Sequence, residues 1–209
     1  MTSSALRELL NRARGPLGPR VELDFGVTGG PMAELAAVLS EINGFFAFNG
    51  GIHIFRVGDE GMGYDLQTWN RPDTWIEHYQ GLFDNVFCFG QDLFGFQFGI
   101  VDGRSVAVVD PETGAQESLG NSLEDWASWL LADADRNGRS AMAAGWNQQY
   151  GALPVTDRLI YKQLLVMGGE NEVANVVAKD AVECMRIRGP IAAAIRDLPD
   201  GAQIRLTTD

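Results

Sequence analysis

Apolar positions in this chain change period several times, and each change marks an element. Leu6, Leu9 and Leu10 fall at helical spacing and predict a short amphipathic helix within residues 2–14, which Gly15, Pro16, Gly18 and Pro19 then end. Val21, Leu23 and Phe25 alternate with polar residues, as in a half-buried strand. Gly29-Gly30-Pro31 leads into a helix over 32–42, with Pro31 suited to its first turn. Residues 45–57 read as strand, turn at Asn49-Gly50-Gly51, and strand. A helix is expected over 72–80.

The clearest strand signal runs over 85–110. Phe94, Phe96, Phe98 and Ile100 alternate with Gly95, Gln97 and Gly99, which predicts one strand with a bulky face and a bare face. A two-residue turn fits Asp102-Gly103, a partner strand fits 106–109, and Asp110-Pro111-Glu112-Thr113-Gly114 forms a second turn. Three or four short strands joined this way make an antiparallel meander rather than a parallel βαβ sheet. Asn121 or Ser122 caps a helix whose Leu123, Trp126, Trp129 and Leu130 share one face, and a second helical stretch reaches Tyr150. Beyond Pro154 the pattern predicts a strand at 173–177, helices at 179–187 and 190–197 broken by Gly189-Pro190, and a last strand at 203–207. The expected class is therefore α+β, a mostly antiparallel sheet flanked by helices over residues 1–150. A C-terminal α/β extension over 151–209 packs on the same domain.

Charge sharpens this outline. The net charge is −12, and residues 57–135 hold fifteen acids against only Arg71 and Arg104, while the rest of the chain has thirteen acids and fourteen bases. Such a balance disfavours direct contact with nucleic acid or an anionic membrane. The acidic third is a solvated surface at the least, and a docking surface for a basic partner in the sharper reading. Residues 1–15 lack the apolar core of a signal peptide, and no apolar run approaches the ~20 residues of a membrane span, so a cytoplasmic location is expected.

Candidate chemistry is sparse. Cys88 and Cys184 stand apart and read as core residues, and His53 and His78 belong to no ligand or nucleophile motif. Asp133-Ala-Asp135-Arg-Asn137-Gly138 starts like a calcium loop, but Ala144 stands where the bidentate Glu belongs, so a helix connection is expected. Asp24-Phe25-Gly26 lacks every companion of the kinase tripeptide, and Gly29-Gly30-Pro31 lacks the frame of a phosphate loop. No catalytic residue, metal site or cofactor is expected, and the chain is not read as an enzyme. Trp69, Trp75 and Tyr64 lie in polar sequence beside acids, a composition that suits either an interface or a loop anchor.

Several segments together resemble one family. Glu41-Ile-Asn43-Gly44-Phe-Phe, Gly51-Ile-His53-Ile-Phe, Val86-Phe-Cys-Phe89-Gly90-Gln-Asp92-Leu-Phe94-Gly95-Phe-Gln97-Phe98, Val109-Asp110-Pro111-Glu112-Thr113-Gly114 and Ser122-Leu123-Glu124-Asp125-Trp126 are similar to the SUKH superfamily, over roughly residues 30–135. That group contains a fungal cell-wall-synthesis regulator and many bacterial immunity proteins. Met167-Gly168-Gly169-Glu170, Asn175 and Leu198-Pro199-Asp200-Gly201 resemble an extension seen in some bacterial members. The resemblance implies a helix-flanked antiparallel sheet and an immunity protein that neutralises a toxin, often a nuclease or deaminase, of a polymorphic toxin system. It carries no catalytic motif across. Phe89, Gly90, Asp92, Gly95 and Gln97 align with its signature strand.

Charge and resemblance converge on a protein toxin with a basic active-site surface, for which carboxylates compete in place of phosphates. The expected contact residues are Asp59, Glu60, Asp65, Trp69, Asp92, Phe94 and Asp102. A regulatory adaptor of the same fold, with no toxin partner, is the alternative. Nothing in the pattern sets an oligomeric state.

Overall fold

The structure is a computed structural model and describes residues 4–199 and 201–202. Its elements run in the order α1 (Ala5–Asn11), α2 (Gly30–Glu41), β1 (Phe45–Ala47), β2 (Ile52–Ile54), α3 (Leu66–Trp69), β3 (Val86–Asp92), β4 (Gln97–Val101), β5 (Ser105–Val109), β6 (Gln116–Gly120), α4 (Leu123–Ala132), α5 (Ser140–Tyr150), β7 (Asp157–Tyr161), β8 (Val176–Asp180) and α6 (Ala181–Ile195). The first six strands form one antiparallel sheet in chain order, β1-β2-β3-β4-β5-β6, and β7 and β8 pair as a separate hairpin. The chain is an α+β protein built on a complete meander.

The β3–β4 and β4–β5 connections have local causes. The β4–β5 turn places Asp102 and Gly103 at φ 51° and 69°, and the Arg104 N–H returns to the Val101 carbonyl at 2.9 Å. Positive φ at both central residues matches the right-handed twist of the strands it joins. The aromatic run does not form the single strand its alternation predicts. It folds back at Leu93-Phe94-Gly95, because Asp92 Oδ1 accepts the N–H groups of both Phe94 (2.8 Å) and Phe96 (3.0 Å) and Gly95 takes φ 79°. Asp92 thus ends β3, and Gln97 opposite Gln91 starts β4.

The core lies between the sheet and the helices. Leu123, Trp126, Ala127 and Leu130 of α4 are buried, and the Trp126 ring stands edge-on to Phe89 and Phe98. The start of α4 is closed by a reciprocal cap between Ser122 and Asp125. Glu124 faces the other way: Oε1 and Oε2 accept the Ala5 and Leu6 N–H groups at 2.6 and 3.0 Å, capping α1 from a helix 119 residues distant in sequence. A second aromatic layer, Trp69, Trp75, Tyr79 and Phe83, is wholly buried beside it.

Several expectations are corrected here. No strand forms at 21–25: Arg14 already engages the outer edge of β1 through two hydrogen bonds with Phe46, and Leu23 N–H turns to Ser40 Oγ instead. Over 72–80 only a 3-10 turn, Ile76–Tyr79, is regular. The strand expected at 173–177 begins later, at Val176, after a 3-10 turn, and its partner β7 lies in the stretch left unassigned. Helix α6 continues through Gly189-Pro190, because Gly189 rests against the 76–79 turn. A Cβ there would meet His78 Cβ at 2.8 Å. Packing at that contact outweighs the local cost of proline. The strand expected at 203–207 lies outside the described residues.

The C-terminal segment is joined to the main core. Ala181, Met185 and Ala192 belong to the same buried cluster as the sheet, and Leu159 N–H donates to the Leu93 carbonyl at the β3–β4 turn. No helix among the described residues is long and apolar enough to cross a membrane.

Candidate functional site

The fifteen acids of residues 57–135 separate into two groups. Nine have local work. Asp65 N-caps α3, Asp110 accepts the Glu112 N–H, Asp125 and Glu124 cap helices, and Asp133 and Asp135 accept N–H groups in the α4–α5 connection. Asp73 pairs with Arg71, Asp92 with Arg139, and Glu112 accepts the Val166 N–H. The calcium-like loop is thus a helix connection whose carboxylates hold backbone. Among the described residues no group of three or more His, Cys, Asp or Glu side chains is placed to hold a metal ion.

The second group is Asp59, Glu60, Glu77, Asp84, Asp102 and Glu117, all exposed, and none in an ion pair among the described residues. Asp84 and Asp102 flank the same end of the sheet, where the Asp102 N–H donates to the Asn85 carbonyl at 2.9 Å. Asp59 and Glu60 occupy the loop after β2, packed over Leu17-Gly18. Bases from α6 and its C-cap reach part of this region: Arg186 donates to the Thr74 and Asp73 carbonyls and Arg196 to that of Gln80.

The expected contact residues therefore divide. Asp59, Glu60 and Asp102 are exposed, and Asp65 is half-buried in its capping role. Trp69, Asp92 and Phe94 are corrected to interior residues. Trp69 is 0% exposed and its Nε1 donates to Gln97 Oε1 at 2.9 Å. Asp92 is 2% exposed with both oxygens engaged, and Phe94 is 6% exposed and stacked on Tyr161. A polar sequence context misled here, because the polar neighbours of these residues are turn formers rather than surface.

Behind the β3–β4 turn lies a feature the sequence reading missed, a buried set of cations and a neutral histidine. Arg158 and Arg188 are 2% and 1% exposed, and His53 is 0% exposed with both ring nitrogens unpartnered. His53 stacks on Phe46, and burial first, then the Arg158 charge, holds its pKa well below the ordinary value. Burial also lowers Arg158 to about 10. Arg139 is raised, chiefly by the charge of Asp92. The signal was available for Arg188: Ala181, Met185, Arg188 and Ala192 form one helical stripe, which puts the arginine on the buried face.

A cleft of about 490 Å³ opens between the Phe94–Phe96 turn, the Asp110–Thr113 turn and the 165–176 segment. Glu112 and Arg188 lie in it, with Asp135, Arg139, Tyr161 and Glu172. Burial raises the Glu112 carboxyl and the Tyr161 hydroxyl. Cys88 and Cys184 are buried free thiols; burial raises both, Cys184 to about 11, so neither is a ready nucleophile.

No family model and no curated protein sequence matches the chain. Among solved structures it is similar to the crystal structure of Atu4351 from Agrobacterium tumefaciens, at 11% identity and a TM-score of 0.51, over 91% of this chain and 81% of that one. At that identity the likeness shows a shared fold.

Proposed function

We propose that this protein acts by binding another protein, as an immunity protein that neutralises a toxin with a basic active-site surface. The observation that supports this is the set of six exposed carboxylates, Asp59, Glu60, Glu77, Asp84, Asp102 and Glu117, left without an ion-pair partner among the described residues. A nuclease or a related enzyme holds phosphates with Lys and Arg, and exposed carboxylates compete for that surface. Opposite fields also steer encounter, raising association above the unsteered ~10⁵ to 10⁶ M⁻¹s⁻¹ and making it salt-sensitive. The SUKH resemblance supports the same reading, and the cytoplasm is where such a protein meets its target.

The test begins with affinity purification of the tagged chain from its native cells and mass spectrometry of what it retains. The retained protein should be basic at its active site, arrest growth when expressed alone, and be released by added salt. Asp59→Lys, Glu60→Lys and Asp102→Lys together should abolish retention and protection while leaving the fold intact. Unchanged affinity and salt dependence in that triple variant would defeat the reading.

A further inference from the structure

Glu112 is a buried carboxylate with one oxygen to spare. The residue is 6% exposed and its Oε2 accepts the Val166 N–H at 3.0 Å, while Oε1 accepts no hydrogen bond among the described residues. Nε and Nη1 of Arg188 are unpartnered and shut from solvent; Oε1 is not shut in, and it opens on the cleft of about 490 Å³ that Glu112 lines. A carboxylate buried to this degree favours a cation that meets it.

The rest of the cleft points the same way. Asp110, Asp135 and Glu172 also line it, against the guanidiniums of Arg139 and Arg188. Arg139 is already committed to Asp92 through Nε, and the two unpartnered nitrogens of Arg188 are sealed. Between the charges the wall is apolar, with Met142, Val173 and Val176 beside the stacked Phe94 and Tyr161 rings. The 165–176 segment is held in place: Asn175 Nδ2 donates to the Gln163 and Glu170 carbonyls, both at 2.9 Å, and the Tyr161 hydroxyl donates to Asn171 Oδ1 at 2.7 Å. Among the described residues no three carboxylates are grouped closely enough to hold a metal ion, so a dispersed acidic lining with apolar walls suits an organic cation.

We propose that this cleft binds a primary ammonium carried on an aliphatic stem, with Glu112 as its buried partner and the exposed Asp135 and Glu172 attracting it from the rim. Glu112 offers one free oxygen, which matches the point charge of an ammonium. A guanidinium fork pairs best with two free oxygens, and Val166 already holds the second. Met142, Val173 and Val176 suit the methylene stem. The same chemistry is carried by a free alkylamine and by a lysine side chain. None of the six exposed carboxylates assigned to the toxin surface lines this cleft, so failure here leaves the toxin-binding reading standing.

The experiment is an amide NMR titration of the full chain at neutral pH with n-butylamine, n-butylguanidine, n-butanol and lysine capped at both ends. Added chloride keeps ionic strength constant at ~0.1 M, where exposed charges are screened. The proposal expects saturable shifts centred on Thr113, Val166 and Val173 with butylamine, capped lysine or both, a weaker response to butylguanidine and none to butanol. Tighter binding of butylamine identifies a small-molecule site, and tighter binding of capped lysine identifies a receptor for a protein side chain. Glu112→Gln should abolish the shifts, because the amide keeps an acceptor for the Val166 N–H and loses the charge. Val173→Lys, at an exposed position on the rim, should weaken binding several-fold. If Glu112→Gln does not fold, Val173→Lys and Glu172→Gln together take its place, with the same loss expected. No saturable response to either amine, or an equal response to butylguanidine, to butanol or from the variants, would overturn the proposal.

Discussion

Arg139 reaches across 47 residues to Asp92, its Nε donating to Oδ2 at 2.7 Å, with the Asp92 side chain 3% exposed and that of Arg139 32% exposed. The pair joins the start of α5 to the turn between β3 and β4, and the two ends are not equivalent. Asp92 also holds that turn through two backbone N–H groups, whereas Arg139 adds only ring contacts with Phe94 and Phe96. Removing Asp92 by Ala should cost ~3 to 5 kcal/mol, the range for breaking a buried pair. Arg139→Met should cost less, because Asp92 keeps its N–H donors and its neighbour Arg158. Urea denaturation of both variants checks the order, and a more damaging Arg139→Met would refute it.

Stability should fall in mild acid on account of His53. Its folded pKa lies below the 6.5 of the unfolded chain, by burial and then by the Arg158 charge. Below pH 6.5 the unfolded chain takes up a proton that the folded chain refuses. Full stability is therefore present above about pH 6.5 and is lost progressively as pH falls toward the depressed folded value, by at most ~1.4 kcal/mol per pH unit. His53→Phe should flatten that part of the profile in denaturation measured between about pH 5 and pH 7. An unaltered slope would mean that other groups set it.

Neighbouring residues in α6 should respond with opposite signs. Gly189→Ala forces a Cβ into His78 and should destabilise by ~1 to 3 kcal/mol through overpacking. Pro190 is exposed inside a continuous helix, so Pro190→Ala should stabilise by up to ~3 kcal/mol. Thermal melts of the two variants decide this, and a loss of stability in Pro190→Ala would show that the helix needs its proline.

Trp69→Phe should cost ~1 to 3 kcal/mol, because it leaves the buried Gln97 oxygen without the indole N–H. Retention of a protein partner should be unchanged, since the indole is wholly enclosed. Loss of partner binding at full stability would return Trp69 to the interface.

What the sequence reveals follows the range of the interactions involved. Asp102-Gly103, Ser122 with Asp125, and the Leu123, Trp126, Leu130 stripe are local patterns with local causes, and the meander and α4 could be read from them. Alternation at Phe94, Phe96 and Phe98 imitated a strand, because a turn set by Asp92 and Gly95 also spaces its aromatics two apart. The burial of Arg158 depends on β7 docking against the β3–β4 turn, and the continuity of α6 depends on Gly189 meeting His78. Neither contact leaves a mark in nearby residues. Charge counts had the same weakness: they register fifteen acids but not that nine of them hold backbone or a cation.

The cap that Glu124 places on Ala5 and Leu6 imposes an order of assembly. The meander needs only consecutive segments and can build up as synthesis proceeds. A seven-residue helix is too short to persist alone, so the first helix waits for a carboxylate made more than a hundred residues later. Pulse-labelled hydrogen exchange should find the amides of Leu9 and Leu10 protected together with those of Leu130, and after those of Phe98. The beginning of the chain would then be among the last parts to settle.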